Sequence, residues 1–242
     1  IFSAPNIHGS GIFSMDLLGD LIATGAKDKS VAVTSLSPSS NKIDVLWRGE
    51  HHERVVKSVA LSRKSPTLVA SCGDDGLVAV NDFRQKPPTG SCSVEIEGHA
   101  SPHSVVWGDG CMSEHVLMTA GRCGDAIKLW DLRSPKEPTS SLVGHTAKGL
   151  NKRDIHHPCF YSPSKSANKT YVVSGGDAVG GVSIFDISSP SKEITAVSRG
   201  QLGGGDFDSQ ALSVQKDEDG WGHRIACSVG DEVFLLSPVN PK

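Results

Sequence analysis

The sequence of 242 residues has few aromatic residues and no long apolar run. Phe, Trp and Tyr together make up 5% of the chain. Its most apolar stretch, from Leu17 to Ala26, is broken by two glycines and an aspartate, whereas a membrane-spanning helix needs about 20 apolar residues. The residues that follow Ile1 also lack the charged and apolar segments of a secretory signal. These absences predict a soluble protein that is not inserted into a membrane.

Paired cysteines and an excess of one charge are lacking as well. The six cysteines are scattered without a Cys-x-x-Cys pair, in a chain much larger than the small secreted domains that depend on disulfides. We interpret them as reduced thiols of an intracellular protein, in the cytoplasm or the nucleus. The formal net charge of −3, from 24 basic and 27 acidic residues, would not attract nucleic acid or lipid, so direct nucleic-acid binding is not expected.

A repeat of about 50 residues runs along the chain. A short strand with alternating side chains ends each unit, and a second strand closed by glycine precedes it. No stretch keeps a helical period over three turns, so the pattern predicts an all-β fold. The repeat units cover residues 8–36, 49–84, 97–133, 143–188 and 199–239, and their equivalent closing positions are Thr34, Asn81, Trp130, Phe185 and Leu236.

The third unit has the most specific motifs, because Gly98 and His99 open it and Trp130 and Asp131 close it. This pattern resembles the WD-repeat family of β-propellers, whose units open with Gly-His, close with Trp-Asp and supply four strands per blade. The resemblance implies one propeller domain over residues 1–242. Most members have seven blades, and seven units of this length would need about 350 residues. We therefore expect the five blades to form most of a larger ring whose N-terminal part is missing, with a five-bladed ring as the alternative.

The family resemblance also implies a hydrogen-bond network inside each blade. It joins the opening His, a Ser or Thr of the second strand, an Asp of the next turn and the closing Trp. No unit plainly keeps all four: Asn81 replaces the Trp of the second unit, and only Thr24 and Asp28 fit in the first. We predict structural roles, not catalytic ones, for the residues that do match, which are His52, Ser71, Asp75, His99, Thr119, Trp130 and Asp131.

Two groups of basic residues are candidates for partner binding. Arg84 and Arg133 each follow a closing Asp by two residues in consecutive units, which is expected to place them on one rim. This arrangement resembles the box of WD-repeat substrate receptors of cullin-RING ubiquitin ligases, which dock on the damaged-DNA-binding adaptor protein through such arginines. Arginine suits this role because its planar group makes several hydrogen bonds. The second group lies in an insertion over residues 146–169 and consists of Lys148, Lys152 and Arg153.

Motifs of catalysis and of cofactor binding are weak in this sequence. The glycine-rich stretches at 174–181 and 203–206 are not followed by Lys-Ser/Thr or a helix, as a phosphate site requires, and are interpreted as turns. His156, His157 and Cys159 are close in sequence, but neighbouring strand residues point to opposite faces. No nucleophile elbow is present. We therefore predict no catalytic residue, cofactor or metal site, and a scaffold that binds proteins within a larger complex. The alternatives are the ligase receptor and, remotely, an enzyme.

Overall fold

The computed structural model consists of β-strands joined by turns. It contains no helix in the residues that it describes, and so no helix that could cross a membrane. This content confirms the predicted all-β class. The described residues are 6–37, 42–85, 93–108, 112–121, 126–143, 157–162, 169–177, 181–201, 209–216, 222–229 and 232–236.

The chain folds into two compact units, Ile1–Trp107 with Ser134–Lys136, and Gly108–Arg133 with Glu137–Lys242. The strands of the first unit are β1 (Ile12–Leu18), β2 (Leu21–Ala26), β3 (Val31–Ser37), β4 (Lys42–Gly49), β5 (Val56–Leu61), β6 (Leu68–Gly73), β7 (Val78–Asp82), β8 (Val94–Ile96) and β9 (Pro102–Trp107). Those of the second unit are β10 (Val116–Gly121), β11 (Ile127–Asp131), β12 (Ser140–Val143), β13 (His157–Tyr161), β14 (Tyr171–Asp177), β15 (Gly181–Asp186), β16 (Glu193–Thr195), β17 (Ser198–Gln201), β18 (Ser209–Lys216), β19 (Gly222–Val229) and β20 (Glu232–Leu236).

Two four-stranded antiparallel sheets make up most of the first unit, in the orders β1-β2-β3-β4 and β5-β6-β7-β8. In both sheets the two central strands are the most buried, because they consist of small and β-branched residues. The first strand of each sheet carries an irregularity at the same place, between Ile12 and Ser14 in β1 and between Val56 and Ser58 in β5. The two sheets are therefore copies of one structural unit, as the sequence repeat predicts.

The first strand of one sheet packs against the first strand of the next. The backbone N–H of Val59 donates to Ser14 Oγ at 3.1 Å, and that of Leu61 donates to Asp16 Oδ2 at 2.8 Å. The strand β9 repeats this contact on β5, where the N–H of Val105 donates to Ser58 Oγ at 3.3 Å. The apolar core between the first two sheets contains Ala23, Val31, Val33, Trp47, Val56, Val59, Leu61 and Val69.

Close packing at this contact leaves no space for a side chain at Gly25. A Cβ atom built there would lie 2.6 Å from Cγ1 of Val56, which is a severe overlap. The glycine that closes β2 is therefore required by the approach of β5. A glycine that ends the second strand was one of the signals of the repeat, and here it has a direct packing reason.

The second unit contains further sheets of the same kind. The strands β10, β11 and β12 pair antiparallel in order, and β13-β14-β15-β17 form a four-stranded antiparallel sheet. The last sheet is β18-β19-β20. One feature departs from a simple repeat. The strand β16 follows β15 in the chain, but it pairs in parallel with β12 of another sheet. The strand β13 had no counterpart in the sequence interpretation, which considered His157 and Cys159 as metal donors.

Candidate functional site

A buried hydrogen-bond network in the second sheet joins His52, Ser71 and Asp75. The imidazole Nδ1–H of His52 donates to Asp75 Oδ2 at 2.9 Å, and its Nε2 lies 2.9 Å from Ser71 Oγ. Asp75 also accepts the backbone N–H groups of Glu53 at 2.7 Å and Leu77 at 3.1 Å. The network thus ties the segment before β5 to β6 and to the turn after it.

The charge of Asp75 is stabilised by these donors. Burial alone would raise the pKa of the carboxyl group, but the hydrogen bond and charge of His52, together with the two backbone N–H groups, outweigh burial and lower the pKa to about 2. The side chain of Asp75 is 7% exposed and that of His52 is fully buried. The buried carboxylate of Asp75 is therefore kept ionised by N–H groups that donate hydrogen bonds to it. These hydrogen bonds join separate parts of the sheet.

A second histidine, His51, also takes part in this network. His51 Nε2 lies 3.2 Å from Ser71 Oγ, and its ring centroid is 4.6 Å from that of His52. Burial, and then the charge of His52, lowers the pKa of His51 to about 4, so the ring is neutral at pH 7. Asn81, at the closing position, is buried, and neither of its amide atoms has a hydrogen-bond partner among the described residues. The Ser71 hydroxyl thus contacts two histidines.

The first sheet contains a network that the sequence interpretation missed. His8 Nε2 lies 2.7 Å from Thr24 Oγ1, and its Nδ1 lies 2.8 Å from Ser30 Oγ. Asp28 accepts the N–H of Gly9 at 2.7 Å and the hydroxyl of Ser30 at 2.7 Å. Burial opposes ionisation of Asp28, but these hydrogen bonds prevail and lower its pKa to about 2. His8 was missed because it precedes its glycine, although it lies 44 residues before His52, close to the repeat spacing.

Of the third predicted network, the structure shows the contact between Trp130 and Thr119. Trp130 Nε1–H donates to Thr119 Oγ1 at 2.7 Å, and both side chains are buried between β10 and β11. Asp131 follows at the end of β11. His99 is buried in the first unit. Asp125, which lies one place later in the sequence than the turn aspartate of the family pattern, is outside the described residues.

The two predicted arginines lie in turns of the same geometry, at the ends of β7 and β11. The backbone N–H of Arg84 donates to Asp82 Oδ1 at 3.1 Å, while Nε–H donates to the same oxygen at 3.0 Å and Nη2–H to Oδ2 at 2.5 Å. For Arg133 and Asp131 these distances are 3.0, 2.9 and 2.6 Å. The hydrogen bonds from Arg133 lower the pKa of Asp131 to about 2. Each arginine side chain is 68% exposed, Arg84 in the first unit and Arg133 in the second.

A third copy of this turn has no arginine. At the end of β15, Asp186 Oδ1 accepts the backbone N–H of Ser188 at 3.0 Å and its hydroxyl at 2.5 Å. The turn thus forms with either serine or arginine at its third position. The guanidinium groups of Arg84 and Arg133 are not needed for the backbone conformation.

One cluster combines the residue types of a hydrolase, in a geometry that does not support a proton relay. Ser101 Oγ lies 3.1 Å from His103 Nε2 and 3.1 Å from Asp74 Oδ1, and Lys57 Nζ lies 3.0 Å from Asp74 Oδ2. The contact between His103 and Asp74, at 3.5 Å, uses the same Nε2 atom. A Ser-His-Asp relay needs the serine and the aspartate on different ring nitrogens. This cluster is therefore an ion-pair network at the ends of β5 and β9.

Other candidate residues are less informative. Lys148, Lys152 and Arg153 lie outside the described residues, as does His156. Within the part of the chain that is described, no three His, Cys, Asp or Glu side chains are grouped as metal ligands would be.

Comparison with known proteins found curated relatives but no matching family model. The chain is 32% identical over 126 residues to the U5 small nuclear ribonucleoprotein 40 kDa protein of Dictyostelium discoideum, which is 51% of this chain and 32% of that protein. It is 28% identical over 174 residues to the ribosome biogenesis protein WDR12 homolog of Drosophila mojavensis, or 71% of this chain and 36% of that protein. A WD repeat-containing protein of Saccharomyces cerevisiae is 32% identical over 109 residues, or 39% of this chain and 21% of that protein.

The fold also matches solved structures. A crystal structure of the computationally designed Ika8 protein aligns with a TM-score of 0.64 at 20% identity, over 95% of this chain and 59% of that one. The chain spans about a third of the length of the first two curated relatives. The repeated four-stranded sheets, their internal His-Ser/Thr-Asp networks and these relatives all support one family for this chain, that of the WD-repeat proteins.

Proposed function

We propose that this chain is part of a non-catalytic scaffold that holds protein partners within a larger intracellular assembly. Two relatives support this proposal by their names, one as a protein of the U5 small nuclear ribonucleoprotein and the other as a ribosome biogenesis protein. The networks of ionisable side chains in the described sheets support it too. Their hydrogen bonds join strands and turns, so these side chains have a structural explanation that needs no catalysis. Partner binding then depends on side chains that the turns between strands expose.

The two Asp-x-Arg turns carry the proposal. In each, the aspartate holds Nε and Nη2 of the arginine, so the guanidinium group is oriented before a partner arrives. An oriented, exposed arginine loses less side-chain freedom on binding than a free one. Because the turn at Asp186 forms with serine in the third position, the arginines are available for a role other than folding.

A more specific candidate for the partner follows from the same turns. A substrate receptor of a cullin-RING ubiquitin ligase would bind the adaptor of the ligase through Arg84 and Arg133. What favours this candidate is that both arginines have the same contacts at equivalent positions of their sheets. The basic residues Lys148, Lys152 and Arg153 are proposed as a further partner-binding patch.

Substitution to serine tests the role of the arginines. The double variant Arg84→Ser and Arg133→Ser copies the turn at Asp186 and should leave the thermal unfolding midpoint almost unchanged. Arg54→Ser removes an exposed arginine from outside these turns and serves as the matched control. Proteins that are captured from cell extract by the tagged wild type, the double variant and the control are quantified by mass spectrometry.

The scaffold proposal expects a fixed set of proteins with the wild type and the control, and loss of some of them with the double variant. If the adaptor of the ligase is among those lost, the receptor is the function. If the wild type does not capture the adaptor, the receptor candidate fails. If the wild type captures no protein in fixed stoichiometry, the scaffold proposal itself is refuted.

A further inference from the structure

The tetrapeptide Ser-Pro-Ser-Lys occurs twice in the second unit, once beginning at Ser162 and once at Ser189. Ser162 is 1% exposed, and its hydroxyl donates to the carbonyl oxygen of Lys169 at 2.9 Å. Ser189 is exposed, and its hydroxyl makes no hydrogen bond to any described residue. The same short sequence therefore has a buried serine at one place and an accessible serine at the other.

Exposure also separates Ser189 from most other Ser-Pro dipeptides of the chain. Six of the seven copies have a serine that the structure describes. Ser134 and Ser189 are exposed, whereas the other four serines are partly or fully buried: Ser37, Ser65, Ser101 and Ser162. Both exposed serines come three residues after the aspartate that ends a strand, Asp131 of β11 and Asp186 of β15. Of these two serines, Ser189 alone is followed by a lysine at the third position.

The segment around Ser189 is held at both ends and open in the middle. Residues 188–193 are all exposed, and no strand begins before β16 at Glu193. At one end the hydroxyl of Ser188 donates to Asp186, and at the other the carbonyl of Lys192 accepts the N–H of Ser141 at 2.8 Å. An enzyme that binds a short irregular segment can therefore reach Ser189 without unfolding a sheet.

We propose that Ser189 is a phosphorylation site for a proline-directed protein kinase, with ATP as the phosphoryl donor. Ser189 Oγ forms a bond to the γ-phosphorus, the bond from that phosphorus to the bridging oxygen breaks, ADP leaves, and a base of the kinase takes the hydroxyl proton. Kinases of this class accept a proline, which has no N–H group, directly after the serine. The ammonium group of Lys192 can pair with an acidic group of the kinase. The neighbouring Ser188 is not followed by proline.

Phosphorylation changes the charge of this turn and leaves its hydrogen bonds in place. The equivalent turn at Asp131 exposes a cation, Arg133. A phosphate on Ser189 adds about −1.5 to −2 charges at pH 7, so the turn at Asp186 becomes strongly anionic. The hydrogen bonds from Ser188 to Asp186 do not involve Ser189 and can remain. The modification is therefore a change of surface charge, whichever partners the protein has.

The two copies of the tetrapeptide provide a test with an internal control. The 242-residue chain is incubated with Mg²⁺, ATP and a recombinant cyclin-dependent kinase, which is proline-directed, and phosphate at each serine is followed over time by mass spectrometry. Ser189 should be phosphorylated, and Ser162 should react more than about tenfold more slowly, because its hydroxyl becomes accessible only when the chain opens locally. Synthetic peptides of residues 156–169 and 183–196 each contain one copy, and both should react at similar rates.

Two substitutions test the position of the phosphate and the need for proline. Pro190→Ala should abolish phosphorylation of Ser189, because the kinase requires the proline that follows the serine. Ser188→Ala should retain it, because Ser188 is not the acceptor. Both changes lie on the exposed segment, and circular dichroism checks that each variant keeps its β structure.

Four results would overturn the proposal. If the peptide 183–196 reacts but Ser189 of the folded chain does not, the segment is not accessible. If Ser162 reacts as fast as Ser189 in the folded chain, the fold does not select between the two copies. If neither peptide reacts, the tetrapeptide is not a substrate for this class of kinase. If the Pro190→Ala variant is still phosphorylated at Ser189, the kinase is not directed by the proline.

Discussion

Asp75 should be a main source of acid sensitivity in the first unit, and the substitution Asp75→Asn removes that source. The carboxylate is almost fully buried and accepts hydrogen bonds from His52, Glu53 and Leu77. Its pKa falls from the ordinary value of 3.8 to about 2. At about 1.4 kcal/mol per pKa unit, this difference corresponds to about 2.5 kcal/mol of folding free energy at pH 7.

The sign of the pH dependence follows from the lowered pKa. The folded state binds a proton at Asp75 more weakly than the unfolded state does, so the contribution is fully present above pH 3.8 and is lost as the pH falls towards 2. The Asn variant has no such group. The difference in unfolding free energy between wild type and variant should therefore shrink as the pH is lowered from 6 to 2.

Urea unfolding at a series of pH values measures this difference, with the fluorescence of Trp47 and Trp107, both buried in the first unit, as the signal. Asp44→Asn is the matched control, because Asp44 is exposed on β4 and should change the free energy by less than about 0.5 kcal/mol. An Asp75→Asn variant as stable as the control at pH 7 would refute the reasoning. A difference that stays constant down to pH 2 would refute the assigned pKa.

Three further predictions concern buried side chains. Trp130→Phe should lower the unfolding free energy by about 1 kcal/mol, because the hydrogen bond to Thr119 is lost. Trp130→Ala should lower it by about 3 to 5 kcal/mol, because the packing of the ring is lost as well. Equal urea midpoints for the two variants would disprove the role of the indole. Asn81→Leu should raise the unfolding free energy by about 1 to 2 kcal/mol, since two buried polar atoms without partners are removed, and a lower urea midpoint would contradict this. Cys72 is fully buried, and burial raises its pKa, so iodoacetamide should label it only in urea; labelling of the native protein, detected by mass spectrometry, would show that β6 opens.

Periodicity and local chemistry were enough to predict the sheets and part of the networks. Alternating strands closed by glycine predict separate antiparallel sheets because they need only local geometry. The contact of His52 with Asp75, at 2.9 Å, was predictable because the spacing of the family pattern places both at the same end of the blade.

Other features depend on packing that no spacing reveals. The contact of His51 with Ser71 is an example, because the family pattern assigns no role to the residue before the opening histidine position, His52. The parallel pairing of β16 with β12 joins segments of different repeat units, so no single unit encodes it. The contacts of His8 could not be predicted from the sequence either. His8 precedes Gly9, whereas the family pattern has the glycine before the histidine.

The serines of the first strands also protect the edges of the sheets. The strands β1 and β5 are edge strands, and an open edge offers amide groups to which a foreign strand can add. The hydroxyl of Ser14 occupies such an amide on β5, at Val59, so that edge is capped by a side chain instead of by another strand. Neighbouring sheets can therefore touch without merging into one continuous ladder. Units of this kind can be gained or lost whole, because each brings both the amide and the hydroxyl that the next contact needs.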